Sequence, residues 1–135
     1  MDKKQYTDEE QKIKNAILDY IRFFPRKGFA WSQYNGARYD PRRKIFLKHT
    51  KYHRKGVPDI LGVWCTLALF IEVKRPGGVL SKEQREFIDQ AKDHGAIAFV
   101  AYSLQGAMKI LNWYDLPSAS TPRPQLLKLD NENEG

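Results

Sequence analysis

From Pro58 to Lys74 the chain reads as two apolar strands closed by a very short loop, and that segment restricts the fold more than any other. Pro58 to Trp64 and Leu67 to Lys74 both have strand length, and antiparallel pairing through a Cys65-Thr66 loop sets Asp59 opposite Glu72. Strand side chains alternate between faces, so Glu72 and Lys74 share one face while Ile71 and Val73 point to the other. Directly opposed residues have Cβ atoms about 4.5–5.5 Å apart. At that spacing two carboxylates repel each other in isolation and together can grip one hard divalent cation. Cys-Thr lacks the Gly or Asn that two-residue loops favour, so a longer loop with a shifted register is the competing reading.

The 135 residues suit one domain, with room for a single sheet and the helices that cover it. A hydrophobic share of 41% beside 29% charged residues is that of a globular chain. No apolar run approaches the roughly 18 residues of a membrane span. Met1 to Tyr6 runs into charged residues with no apolar stretch, so no secretion signal is expected. The lone Cys65 cannot form an internal disulfide and points to a reducing compartment, with a cytoplasmic location as the expectation.

The net charge of +7 suggests an anionic partner, and its distribution is more telling than its size. Arg42, Arg43, Lys44, Lys48, Lys51, Arg54 and Lys55 fall in one stretch with no acid among them, immediately before the carboxylate hairpin. A charge run is often only a solvated loop. Beside a candidate cation site it reads better as a track for a phosphate backbone. Tyr34, Tyr39 and Tyr52 lie close by and suit either stacking on bases or packing.

Elsewhere the pattern is helical at both ends. Thr7-Asp8-Glu9-Glu10 reads as a capping box, followed by Ile13, Ala16, Ile17, Tyr20, Ile21 and Phe24 at helical spacing, with Pro25 and Gly28 ending the helix. Phe29 to Tyr34 is a strand closed by Asn35-Gly36, and Lys44 to Lys48 a second short strand. After Pro76-Gly77-Gly78, Ser81 caps a helix reaching about His94, with Gly95 at its end. Ala96 to Tyr102 is of strand length and Leu104 to about Trp113 is a last helix. From residue 117 the composition turns to Pro, Ser, Thr, Asn and Glu, which predicts a tail over 117–135 and a domain over 1–116. The order α-β-β-β-β-α-β-α predicts an α/β domain, a mixed sheet flanked by helices.

Pro58-Asp59 followed by Glu72-Val73-Lys74 resembles the signature of the PD-(D/E)xK nuclease superfamily. Within it, Gly56-Val57-Pro58-Asp59-Ile60-Leu61-Gly62, Ile71-Glu72-Val73-Lys74-Arg75-Pro76-Gly77-Gly78 and Leu80-Ser81-Lys82-Glu83-Gln84 are similar to the VRR-NUC family. That family includes phage and bacterial stand-alone nucleases and the nuclease domain of the Fanconi-associated repair nuclease. The resemblance spans about Glu9 to Leu111. It implies a restriction-endonuclease-like fold and cleavage of DNA phosphodiesters with Mg²⁺ or Mn²⁺. Small stand-alone members are associated with four-way junctions, which makes an endonuclease selective for branched DNA the leading expectation. By position, Asp59 and Glu72 would be metal ligands with the Val73 carbonyl beside them, and Lys74 would orient the attacking water. An all-oxygen ligand set agrees with Mg²⁺ or Mn²⁺ over zinc.

The family also draws an acid from its first helix. Glu10 fits best because it lies three residues before Ile13 and seven before Ile17, on the buried stripe, with Glu9 its rival. An acid at a helix start is also an ordinary capping residue. Gln84 carries the same double reading: it completes a Ser81-x-x-Gln84 capping box, and it shares a stripe with Phe87, Ile88 and Ala91 that faces the sheet. The resemblance assigns it to the extended active site. Where the family often has a glutamine in the first helix, this chain has Lys14.

Other chemistries have less support. His49 and His53 have helical ligand spacing, but only Cys65 is at hand as a soft partner for zinc. No Ser-His-Asp or Cys-His order stands out. Trp31, Trp64 and Trp113 read as core residues. The alternative class is a nucleic-acid-binding domain without catalysis, for which clustered acids beside phosphates would be a handicap; an end-processing nuclease is a third. A symmetric junction needs two active sites and one chain supplies one, so a homodimer is expected.

Overall fold

The hairpin forms with the two-residue loop. In the computed structural model, which describes residues 8–33, 39–48 and 51–116, β4 (Ile60–Trp64) and β5 (Leu67–Val73) pair antiparallel with Trp64 against Leu67. Cys65 and Thr66 both adopt left-handed backbone, φ 49° and 72°, as a twist-matched two-residue loop requires. For a β-branched residue that conformation is strained. Neighbours hold it: the Cys65 N–H donates to the Lys27 carbonyl at 2.7 Å, and the Cys65 thiol lies 3.6 Å from Asp115 Oδ1 as its donor.

Around this hairpin the sheet runs β1-β4-β5-β6, with β1 (Gly28–Ser32) antiparallel to β4 and β6 (Ile97–Ala101) parallel to β5. The alternation read in the sequence sorts the two faces. Ile60, Trp64, Leu69, Ile71, Val73, Ile97 and Phe99 face α1 (Asp8–Arg22) and α3 (Leu104–Tyr114), whose Ile17, Ile21, Ile110 and Leu111 complete the main core. Trp64 also donates its indole N–H to the Leu111 carbonyl at 2.9 Å, so the polar end of the largest buried side chain is satisfied. On the other face Ala98, Val100 and Phe70 pack against α2 (Lys82–Asp93), Leu80 and Ile88. The result is three layers, helices on both sides of a mixed sheet, as expected.

α2 begins and ends where the sequence predicts. Ser81 Oγ accepts from Gln84 N at 3.1 Å and Gln84 Oε1 accepts from Ser81 N at 2.9 Å, a complete capping box. Gly95 takes φ 85° just past the end, where a residue with a Cβ would be strained. His94 turns its Nδ1 to the Gln90 carbonyl at 2.9 Å.

Three expectations need correction. The short strand expected over Lys44 to Lys48 forms only as β3 (Ile45–Phe46) and stands outside the main sheet, paired with an unforeseen β2 (Tyr39–Asp40) as a separate two-stranded ribbon. Asp40 Oδ1 accepts from the N–H groups of Arg42 at 3.0 Å and Arg43 at 3.4 Å and folds the turn locally. Tyr39, Ile45 and Phe46 stay half exposed, so no buried face draws the ribbon into the sheet. Trp31 is not core but 47% exposed on the edge strand, stacked on Phe29. The first helix stops at Arg22, ahead of Pro25. The expected strand end at Tyr34, the turn Asn35-Gly36, His49, Thr7 of the first capping box and the tail 117–135 lie outside the described residues. Among the described residues, no helix is long and apolar enough to cross a membrane.

Candidate active site

Both strands of the hairpin bring a carboxylate to the same end of the sheet. The register places Ile60 against Ile71, so the next row sets Asp59 against Glu72. Backbone contacts fix that end from three sides: Gln33 N–H donates to the Asp59 carbonyl at 2.7 Å, and Lys74 N–H to the Ala101 carbonyl at 3.0 Å. Across the hairpin the Val73 N–H donates to Asp59 Oδ2 at 3.0 Å. Val73 thus turns its side chain into the core and its main chain to the acidic row.

Glu72 points to the α2 face, as the alternation requires. Its Oε1 accepts from Gln84 Nε2 at 2.9 Å and lies 3.9 Å from Lys74 Nζ. Its Oε2 is buried and accepts no hydrogen bond. Gln84 therefore performs both roles that the sequence offered as alternatives, capping α2 with its oxygen and holding Glu72 with its nitrogen. One residue can do so because an amide carries an acceptor and a donor at opposite corners.

Gly56 brings α2 and β4 together. It takes φ 79°, and a Cβ there would meet the Glu83 carbonyl carbon at 2.4 Å and Gln84 N at 2.6 Å. Only a glycine lets the loop before Asp59 lie against the first turn of α2. On the far side of Lys74, Gly77 adopts φ 83° and turns the chain towards Ser81.

Glu10 reaches the same strand end from the opposite layer. Its Oε1 accepts from Arg75 N–H at 3.3 Å, and it is buried while Glu9 is exposed. Of the two acids, the buried one at the strand end is Glu10, the one the sequence favoured. Among the described residues, no three His, Cys, Asp or Glu side chains form a group of metal-binding dimensions; Asp59 and Glu72 are a pair.

The seven basic residues are all exposed, and they divide into two groups. Arg42, Arg43 and Lys44 form the tip of the β2–β3 ribbon, with Arg43 Nε 3.6 Å from Asp40. Lys48 follows β3, and Lys51, Arg54 and Lys55 sit in the loop that leads to Gly56. Arg54 lies over the Phe87 ring of α2 at 4.7 Å, and Lys51 over Tyr52 at 4.9 Å.

Residues 9–105 match the model of the VRR-NUC domain. The chain belongs to the VRR-NUC family. A VRR-NUC domain is a nuclease-type domain that acts on nucleic acid, with DNA as the substrate it implies. No match is found among curated proteins.

Within this VRR-NUC domain, the sequence reading gave no role to one member of the buried polar set, Lys14, which it noted only as standing where the family often has a glutamine. Among the described residues the buried polar side chains are Glu10 (7% exposed), Lys14 (7%), Asp59 (1%), Glu72 (0%), Lys74 (9%) and Gln84 (9%). Five of them are the residues singled out from the sequence. The sixth, Lys14, stands one helical turn from Glu10, and its i, i+4 spacing from that acid was the signal available.

Proposed function

We propose that this VRR-NUC domain is a divalent-metal-dependent DNA endonuclease, with Asp59, Glu72 and Lys74 as its catalytic residues and Gln84 as their support. The observation that carries the reading is the burial of two opposed carboxylates beside a lysine, in a chain whose net charge is +7. Burying carboxylates is unfavourable unless they are compensated, and a DNA-binding surface has no use for them beside phosphates.

The donor set fits Mg²⁺ or Mn²⁺. Mg²⁺ is commonly bound through one or two carboxylates, its remaining positions being taken by water and substrate phosphate. Asp59, Glu72 and the Val73 carbonyl would hold it, all hard oxygen ligands, with Glu10 as an auxiliary carboxylate at the same strand end. When bound, such an ion offsets charge on the phosphate and acidifies a water. The protein's own part is positional. Gln84 fixes the Glu72 rotamer, Val73 N–H fixes that of Asp59, and Lys74 carries its ammonium to the open end of the sheet, where it orients a water and stabilises developing negative charge.

The basic ribbon tip and the loop 51–55 would supply phosphate contacts, the loop leading through Gly56 directly to Asp59. Branched DNA, four-way junctions above all, is the proposed substrate, and a homodimer the proposed assembly, since paired cuts in a symmetric junction need two sites. Cleavage of labelled four-way junction, flap, linear duplex and single strand with Mg²⁺, Mn²⁺ or EDTA tests the reading, wild type beside Lys74→Ala. Metal-dependent cutting of the junction, reduced by at least about 10²-fold in the variant, is expected. A wild type that binds the junction and cuts nothing with either metal overturns it and leaves a binding domain.

A further inference from the structure

Lys14 and Glu10 are the two buried charged residues of α1, whose other charged residues are not buried. Lysine is almost never buried unless it is paired, and every other buried polar side chain among the described residues belongs to the acidic strand end. Glu10 and Lys14 stand at i and i+4, which puts their Cβ atoms about 5–6 Å apart on one helix face. That face continues through Ile17 and Ile21 into the main core, so Lys14 lies between Glu10 and the core, not in solvent. The balance of charge follows from the six residues. Glu10, Asp59 and Glu72 contribute three negative charges, Lys14 and Lys74 two positive ones, leaving one in excess. Removing Lys14 would leave two.

We infer that Lys14 is the resident counter-ion of Glu10 in the metal-free protein and, through the positive charge it adds at the acidic strand end, sets how tightly a divalent ion is held. It is a positioning residue: it acts through the carboxylates and touches no reacting atom. The part concerning the ion rests on the metal-dependent reading above; the part concerning the carboxylates does not.

Two measurements on the 135-residue chain separate these parts. In EDTA, the melting temperatures of wild type, Lys14→Met, Glu10→Gln and the double variant form a cycle. The lysine substitution is expected to lower the melting temperature on its own and to lose at least half of that effect once Glu10 is neutral. An effect of equal size in both backgrounds overturns the counter-ion. Titration with Mn²⁺ by calorimetry is expected to show about tenfold tighter binding in Lys14→Met, because a like charge has gone, and binding within about twofold of wild type in Lys14→Arg. Unchanged or weaker binding in Lys14→Met overturns the role in metal affinity, since loss of packing alone would not tighten it. Lys14→Gln serves both measurements if the methionine variant does not fold. A wild type that takes up no Mn²⁺ sinks the metal-dependent reading alone, while the cycle in EDTA still decides Lys14.

Discussion

At the scale of single residues, the site depends on side chains with two tasks each. Asp59 is a proposed ligand and also the acceptor for the buried Val73 N–H. Asp59→Ala is therefore expected to abolish cutting and to destabilise the fold by about 1–3 kcal/mol, the penalty for leaving that donor unsatisfied; urea unfolding read beside the cleavage assay checks both. Gln84 joins the α2 cap to Glu72. Gln84→Glu keeps the capping acceptor but sets a second carboxylate against Glu72, so activity should fall more than stability does. Equal losses in cutting rate and unfolding midpoint would argue that Gln84 is a cap alone.

At the scale of elements, two backbone positions with positive φ make opposite predictions. Gly56 has no room for a Cβ against the first turn of α2. Gly56→Ala should push the loop off the helix, with a cost on the order of 1–3 kcal/mol and displacement of Asp59 relative to the Glu72–Gln84 pair, read by melting temperature and junction cutting. Thr66 carries the same left-handed backbone with a β-branched side chain, φ 72°. Thr66→Gly should relieve about 1 kcal/mol of strain and raise the melting temperature by roughly 4 °C, without changing cleavage. The hairpin loop was legible in the sequence by its length, although its residues were unfavourable. The contacts that tolerate them come from Lys27 and Asp115, far away in the chain, and no local rule could supply them.

At the scale of the molecule, the ends of the fold are tied by charge. Lys27, just before β1, is ion-paired with Asp115, just after α3, and Asp115 also receives the Cys65 thiol. The Asp115 carboxylate raises the Lys27 ammonium above its ordinary value of 10.5, opposed by burial. Burial first, and then the Asp115 charge, raises the Cys65 thiol above its ordinary 9.0. Both groups hold their protons more tightly folded than unfolded. Their stabilising contribution is whole below those ordinary values and fades as pH rises through the folded ones. Melting temperature should therefore decline from about pH 9 upward, with Cys65→Ser flattening the first part of the decline and Lys27→Met the part above 10.5. The basic ribbon offers a test of substrate contact. In a Lys74→Ala background, neutralising Arg42, Arg43 and Lys44 should reduce the slope of log binding constant against log salt by about 2–3, measured by fluorescence anisotropy on junction DNA.

Alternation and spacing in the sequence determined the sheet faces, the Asp59–Glu72 row and the α2 capping box, because each of these is set within a strand, one short hairpin or one helical turn, and the motifs along the chain carried the resemblance to the family. Tertiary structure alone decided that Gln84 caps and supports together, that the basic run divides between a ribbon tip and a loop, and that Lys14 is buried beside Glu10. Those depend on how α1 and α2 pack against opposite faces of the sheet, and packing between layers leaves no period in the chain.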